Sequence, residues 1–487
     1  LPGIKAPVYA KREDLGPIRA YKWRGAFNCM AALSQEARDK GIVAASAGNH
    51  AQGVALAARV LNCHATIFMP RSTPEVKQTE VRRHGGRHVK IMLHGDCYDE
   101  TAAAAHEYTE THGCTFVHPY DDLVTMAGQG TLADEVVMSG EGPFDRAYVA
   151  IGGGGLAASV ACWLKKFWPH IKVIGVEGID QASMKTSIEQ GRRVNLDYVD
   201  VFCDGTAVHI PGELTYPLCR ELVDEFVTVT NNEVCQAIRA MWESSRVVPE
   251  PSGAMSLAGF LKQWNRGEVK PEEKSFVVIS GANMDFTHLT QIARQAGIGN
   301  HETRYLRISM DSKRGQVLKY LRHIPQDTTL VDVQYGKTEG NTQHPVFGIA
   351  ASDEDLDTIR TTLKKKGIEF EDISEDDDVR FRMIHYQPEL CQHPLFVHIE
   401  FPERAGAFLD FMERIADLAS LCYFNYTYTG ERVGRALVGM EFDTAEDRET
   451  IRKRMGAFSK NIIRSIREIS PEAFQRIMGS RQLTGNH

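Results

Sequence analysis

From residue 1 to about residue 290, apolar positions fall in short blocks that alternate with longer amphipathic stretches. Gly41–Ser46 (GIVAAS) predicts a buried strand, Gln52–Leu61 (QGVALAARVL) a helix, and Ala65–Met69 (ATIFM) a second strand. Arg146–Ile151 (RAYVAI) predicts a strand followed by a helix over Ala157–Trp168, and Val173–Val176 and Lys274–Ser280 (KSFVVIS) predict two more strands. Short buried strands separated by helical segments predict an α/β fold: a parallel sheet with helices on both faces.

The rest of the chain has a different rhythm and an internal two-fold repeat. Leu306–Met310 (LRISM), Lys313-Arg314-Gly315 and Gln316–Leu321 (QVLKYL) form one copy. Phe396–Phe401 (FVHIEF), Glu403-Arg404-Ala405-Gly406 and Ala407–Met412 (AFLDFM) form the other. Each continues through a strand (Leu330–Tyr335; Tyr423–Tyr428), a turn glycine (Gly340; Gly430), a further strand (Val346–Ala350; Ala436–Phe442) and an acidic helix start (Asp353–Lys365; Thr444–Met455). That order is a split βαβ, or ferredoxin-like, α+β pattern. A short segment, Phe286–Thr303, separates the two regions, and the domains expected are 1–300, 304–388 and 394–475.

Composition narrows the function. The 487 residues are 43% hydrophobic and 25% charged, which excludes a disordered or collagen-like chain. Lys plus Arg is 56 against 64 Asp plus Glu, a net charge of −8, so no general basic field favours nucleic acid. No apolar run approaches the roughly 18–20 residues that cross a bilayer, and no membrane partner is expected. The ten cysteines are scattered without CxxC or zinc spacing. They read as reduced thiols with no metal site. A cytoplasmic location is expected, or a plastid or mitochondrial one if a leader was removed before Leu1.

Four patterns carry chemistry. Lys22 lies between Tyr21 and Trp23. Burial there would favour the neutral, nucleophilic amine, although taken alone a lysine stem lying on surface rings is the plainer reading. Ser46-Ala47-Gly48-Asn49-His50 joins a strand to a helix, which makes it either an anion-binding loop or an ordinary helix cap. Gly152-Gly153-Gly154-Gly155-Leu156 also joins strand to helix and reads as a phosphate cradle or a flexible turn. It is neither GxGxxG nor a P-loop, which disfavours a dinucleotide or ATP. Ser280 ends a strand, where open α/β sheets bind ligands, and reads either as a hydroxyl facing that crevice or as an ordinary strand-ending turn serine. An imine-forming amine, a phosphate seat and a hydroxyl for a ring nitrogen together suit a phosphorylated aldehyde cofactor.

KREDLGPIRAYKWRGA, SAGNHAQGVALAA, PYDDLVTMAGQGT, GGGGL, EPSGA and SGAN, in this order, resemble the pyridoxal-phosphate-dependent serine/threonine dehydratases, in particular their biosynthetic threonine dehydratase branch. The resemblance covers nearly the whole chain. It implies fold type II, tryptophan synthase β-like, followed by two ACT-like regulatory domains. It implies pyridoxal 5′-phosphate as cofactor, held by Lys22 as a Schiff base, by Asn49 at the ring oxygen, by Gly152–Leu156 at the phosphate and by Ser280 at the pyridine nitrogen. Ser46, Ala47, Gly48, Asn49 and His50 would bind the substrate carboxylate. The implied reaction takes L-threonine to 2-oxobutanoate and ammonia, and L-serine to pyruvate, as the first step of isoleucine synthesis. Isoleucine and valine are the implied effectors, and a homotetramer the implied assembly. A β-replacement synthase or a non-catalytic amino-acid sensor are the alternatives.

Some positions depart from the family pattern. Ala20 and Trp23 stand where serine and a smaller residue are usual, and the first tail copy has SKRG where the second has PERAG. Ala47 replaces the second serine of the related racemases, which argues against racemisation. Glu177 matches one carboxylate of their divalent-metal site, but Ser183 replaces the aspartate, so no catalytic divalent ion is expected.

Overall fold

The computed structural model describes residues 1, 3–299, 303–311, 329–334, 342–344, 346–350, 353–374, 376, 379, 393–402, 411, 414–415, 417–427, 433–458 and 462–478. The chain divides into two units, Leu1–Ala296 and Gly297–His487.

Leu1–Ala296 is built on two parallel sheets. The larger places Val8–Arg12, Ser275–Ile279, Arg146–Ala150, Lys172–Gly178 and Glu225–Val229 side by side. The smaller places Val89–Leu93, Ala65–Met69, Ile42–Ala45 and Thr115–Phe116 in that order. Side chains of a strand alternate between faces, and here both faces are apolar. From the Arg146–Ala150 strand, Tyr148 and Ala150 enter one buried cluster while Ala147 and Val149 enter another. Val277 and Ile279 follow the first pair, Phe276 and Val278 the second. The smaller sheet repeats this, with Ile42 and Ala44 on one side and Val43 and Ala45 on the other.

The expected strands are present with ends shifted by one or two residues, and the expected helices begin two or three residues earlier than their apolar pattern, at Asn49 and Gly155. Both of those helices start inside the loops read as binding sites. Four strands escaped the pattern. Val8–Arg12 (VYAKR) carries two charges, Val89–Leu93 and Glu225–Val229 are only partly buried, and Thr115–Phe116 has two residues. The Phe286–Thr303 segment contains a helix, His288–Gly299.

Among the described residues, Gly297–His487 contains two antiparallel four-stranded sheets and a two-stranded one, Met310–Asp311 with Thr342–Gln343. One four-stranded sheet orders Thr329–Gln334, Val346–Ala350, Thr303–Ile308 and Phe370–Asp372; the other orders Ser420–Thr427, Val433–Glu441, Leu395–Pro402 and Ser465–Glu468. In chain order both run second, third, first, fourth. The register slips at corresponding places, between Leu330 and Asp332 and between Leu421 and Tyr423. Helices Asp353–Lys365 and Ala445–Gly456 follow the third strands. Each four-stranded sheet has its own core: Leu306, Ile349, Leu356 and Ile359 in one, Val397, Phe411, Val438 and Ile451 in the other. The turns at 313–315 and 403–406, the segment 316–321, Gly340 and Gly430 lie outside the described residues, as does 407–412 apart from Phe411.

Phe276 is fully buried in the strand between Val8–Arg12 and Arg146–Ala150. Phe276→Ala is expected to lower stability by about 3–5 kcal/mol, read as a shift of the urea unfolding midpoint.

Candidate active site

Lys22 is the first residue of a helix, Lys22–Ala32. That helix sits close to Leu123–Met138 because small residues let the backbones meet: a Cβ at Gly128 would lie 2.6 Å from the Arg24 carbonyl oxygen. Charges of the KRED segment hold the same helix from outside. The Glu13 carboxylate accepts from Lys11 Nζ at 2.7 Å and from Arg24 Nε at 2.6 Å, and Glu135 accepts from Arg24 Nη1 at 2.7 Å.

The Lys22 amine donates to the Pro119 carbonyl at 2.8 Å. Its Nζ lies 5.4 Å from the Tyr21 ring centre and 5.9 Å from that of Tyr120. Burial pushes its pKa down to about 8. The positive end of the helix it opens acts in the same direction.

The other expected residues line up around this amine. Ser46 Oγ accepts from the Gly48 amide at 3.2 Å, shaping the loop, and Ala47 is buried in the core. Asn49 Nδ2 donates to Glu250 Oε1 at 2.7 Å, and Asn49 Oδ1 accepts from Asn283 Nδ2 at 2.7 Å. One hydrogen of the Asn49 amide remains available for a ring oxygen. The His50 ring points into the wall, its Nε2 2.8 Å from the Val117 carbonyl. Burial and the Lys22 charge push that ring down to about 3, so it is neutral.

The glycine turn fits a phosphate. Gly154 has φ +97°, a left-handed conformation that disfavours side chains, and a methyl at Gly153 would overlap the Tyr120 ring. The helix Gly155–Phe167 begins here, and its first amides have no intrahelical acceptor. Thr215 Oγ1 holds the turn by donating to the Gly153 carbonyl at 2.5 Å. The Leu156 side chain is in the core, so only its backbone can serve the cradle. Ser280 is buried, and its hydroxyl has a 3.5 Å contact with the Ser252 carbonyl, long for an O–H···O bond. That hydroxyl is suited to a ring nitrogen. An enclosed amine, a side-chain-free anion cradle and an under-used buried hydroxyl together fit pyridoxal 5′-phosphate. Among the described residues no three His, Cys, Asp or Glu side chains cluster as metal ligands.

Residues 1–281 match the family model for pyridoxal-phosphate dependent enzymes, and residues 391–464 match that for the C-terminal regulatory domain of threonine dehydratase. The biosynthetic L-threonine dehydratase of Burkholderia multivorans is 36% identical over 92% of this chain and 88% of its own length. The chain belongs to the biosynthetic threonine dehydratases. A mitochondrial threonine dehydratase of Schizosaccharomyces pombe is 35% identical over 89% of this chain and 73% of its own. The processed threonine deaminase isoform 2 of Solanum lycopersicum superposes with a TM-score of 0.58 at 41% identity, covering 60% of this chain and 80% of that one. The catalytic unit of this dehydratase therefore has the type II pyridoxal-phosphate fold.

Sequence reasoning passed over several residues of this dehydratase's crevice. The PYDDLVTMAGQGT motif helped to identify the family, yet none of its residues was read as part of the site. Pro119 receives the amine. His118 Nδ1 accepts from the Asp121 amide at 2.7 Å, and the Asp121 carboxylate accepts from the Glu213 and Leu214 amides at 2.8 and 2.9 Å. Glu250, from EPSGA, is the other omission. Its carboxyl accepts from Asn49 and, at 3.1 Å, from the Asn283 amide. Burial, with the negative charge of Asp204, pushes it up to about 8. A lone glutamate before a proline gives no sequence signal of such burial.

Glu177 is also raised to about 8 by burial. Both carboxyls stay protonated in the fold at pH values where an unfolded chain ionises them, so the folded state binds more protons. The two carboxyls are expected to contribute a fall in stability as pH rises from about 5 to 8, opposed below about pH 6.5 by His50, which is neutral in the fold and protonated in the unfolded chain. Glu250→Gln should flatten part of that slope in urea unfolding at a series of pH values, leaving the Glu177 contribution.

Proposed function

We propose that this chain converts L-threonine to 2-oxobutanoate and ammonia, and L-serine to pyruvate, in the crevice around Lys22, as the first step of isoleucine biosynthesis. The observation that carries the reading is the buried Lys22 amine, held by the Pro119 carbonyl beside a ring that packs on the glycine turn.

Bound in the crevice, pyridoxal 5′-phosphate supplies an aldehyde for an amine and a conjugated ring that spreads the charge left at a substrate's Cα. Lys22 Nζ would attach it at rest, Gly152–Leu156 would offer backbone amides to its phosphate, and Asn49 and Ser280 would hold its ring oxygen and ring nitrogen. A neutral hydroxyl such as that of Ser280 would leave a ring nitrogen unprotonated, which suits elimination. The amides of Ser46–His50 at the opening helix hold the substrate carboxylate. Freed Lys22 removes the Cα proton, and a pKa near 8 lets an amine serve as a base close to neutral pH. The Ala47 methyl has no proton to give, which disfavours return to the opposite face.

We assign residues 1–300 to catalysis and 304–388 and 394–475 to regulation by isoleucine and valine, with four chains in the assembly. Effectors act by binding one of two states more tightly. Among the described residues no helix is long and apolar enough to cross a membrane. The location is the cytoplasm, or an organelle reached through a leader.

Lys22→Ala is expected to reduce 2-oxobutanoate formation from threonine by about a thousand-fold or more, measured by a coupled assay; near-normal turnover would overturn the assignment. Cofactor uptake by the stripped protein should speed up about ten-fold per pH unit and level off above about pH 8, followed by absorbance. Isoleucine should shift the threonine concentration giving half-maximal rate; an unmoved curve would overturn the regulatory assignment.

A further inference from the structure

Tyr120 connects two parts of the site that are far apart in the chain. Its ring centre lies 5.9 Å from Lys22 Nζ, and the same ring fills the space beside Gly153. The ring is held from both sides. The Tyr120 amide donates to His118 Nδ1 at 3.2 Å, and the two rings meet edge-on with centres 4.8 Å apart. On the other side, Asp121 is anchored on the amides of Glu213 and Leu214. A wall pinned at its backbone keeps its position when a ligand presses on it.

The proposed reaction requires the substrate's Cα to come within reach of Lys22 Nζ, and the β-carbon is one bond further on. The amine is flanked by two rings. Tyr21 is one of them, its phenol pKa raised by burial first and then by the field of Glu250. Tyr120 is on the side of the glycine turn. Its phenol also stays protonated, through burial first and then the fields of Tyr98 and Asp121 outweighing that of Arg193, so it presents an uncharged surface.

We propose that Tyr120 is a specificity-determining residue whose ring limits the size of the group on the substrate's β-carbon. This rests on the dehydratase reading above. A hydrogen or a methyl fits against the ring, as in serine and threonine; a longer chain meets its face. An extra methylene in a confined apolar site changes selectivity by about 10–200-fold.

The test compares the full-length, cofactor-loaded wild type with Tyr120→Leu and Tyr120→Phe, using L-threonine and L-β-hydroxynorvaline, which is one methylene longer. Tyr120→Leu should raise the ratio of kcat/KM for the longer substrate over threonine by about ten-fold or more, while Tyr120→Phe keeps the wild-type ratio. A second readout needs no turnover. In the cofactor-stripped protein, acylation of the Lys22 peptide, followed by mass spectrometry, should be faster in Tyr120→Leu than in wild type, because the smaller side chain leaves the space beside the amine more open. Tyr120→Met carries the same expectations if the leucine variant does not fold. A substrate ratio within about two-fold of wild type in the smaller variants would overturn the proposal. A wild type that releases no 2-oxoacid from threonine would overturn the dehydratase reading instead.

Discussion

The catalytic unit is organised around the enclosure of one lysine amine. An ammonium group sheds its water at a high free-energy cost, and Lys22 has one protein acceptor to replace it, the Pro119 carbonyl. It also sits at the positive end of its own helix. These conditions bring the amine's titration close to neutral pH, and they last only while the helix stays docked. Glycines at the contact with Leu123–Met138 and the Lys11, Glu13, Arg24 and Glu135 charges keep it there.

The second half of the arrangement is a chain of supports linking the amine to the anion cradle. His118 shapes a turn, Pro119 takes the amine, Tyr120 covers it, and Asp121 fixes the segment whose Thr215 hydroxyl holds the glycine turn. On the opposite side, Asn49, Glu250 and Asn283 bond one another and so join the small sheet's loop to the loops around the large sheet. Burial first and then the negative charge of Asp204 raise the Glu250 carboxyl to about 8, so below that pH it serves this junction as a neutral acid.

Much of this was legible in the sequence, and the reason is geometric. The turns proposed to hold the cofactor lie between a strand and a helix, where glycine runs and cap residues mark the chain. SAGNH and GGGGL announced themselves in this way, and the apolar blocks before them located the strands. What stayed hidden were residues whose role depends on distant partners. Glu250 is buried through contacts with Asn49 and Asn283, far away in sequence. Pro119 acts through a backbone carbonyl, which no residue type reveals. The edge strand Val8–Arg12 was missed because its charges face the supporting network and not solvent. The repeat in the tail was readable because both copies keep one alternation, and their shared strand order and matched register slips agree with duplication.

The Arg146–Ala150 strand carries a further consequence. Its five residues feed alternate faces and run directly into the glycine turn at Gly152. Adding or deleting one residue there would exchange its side chains between the two oily layers and would move the anion seat by one step along the chain. The interval from Arg146 to Gly155 therefore tolerates exchange of like side chains but no change in length.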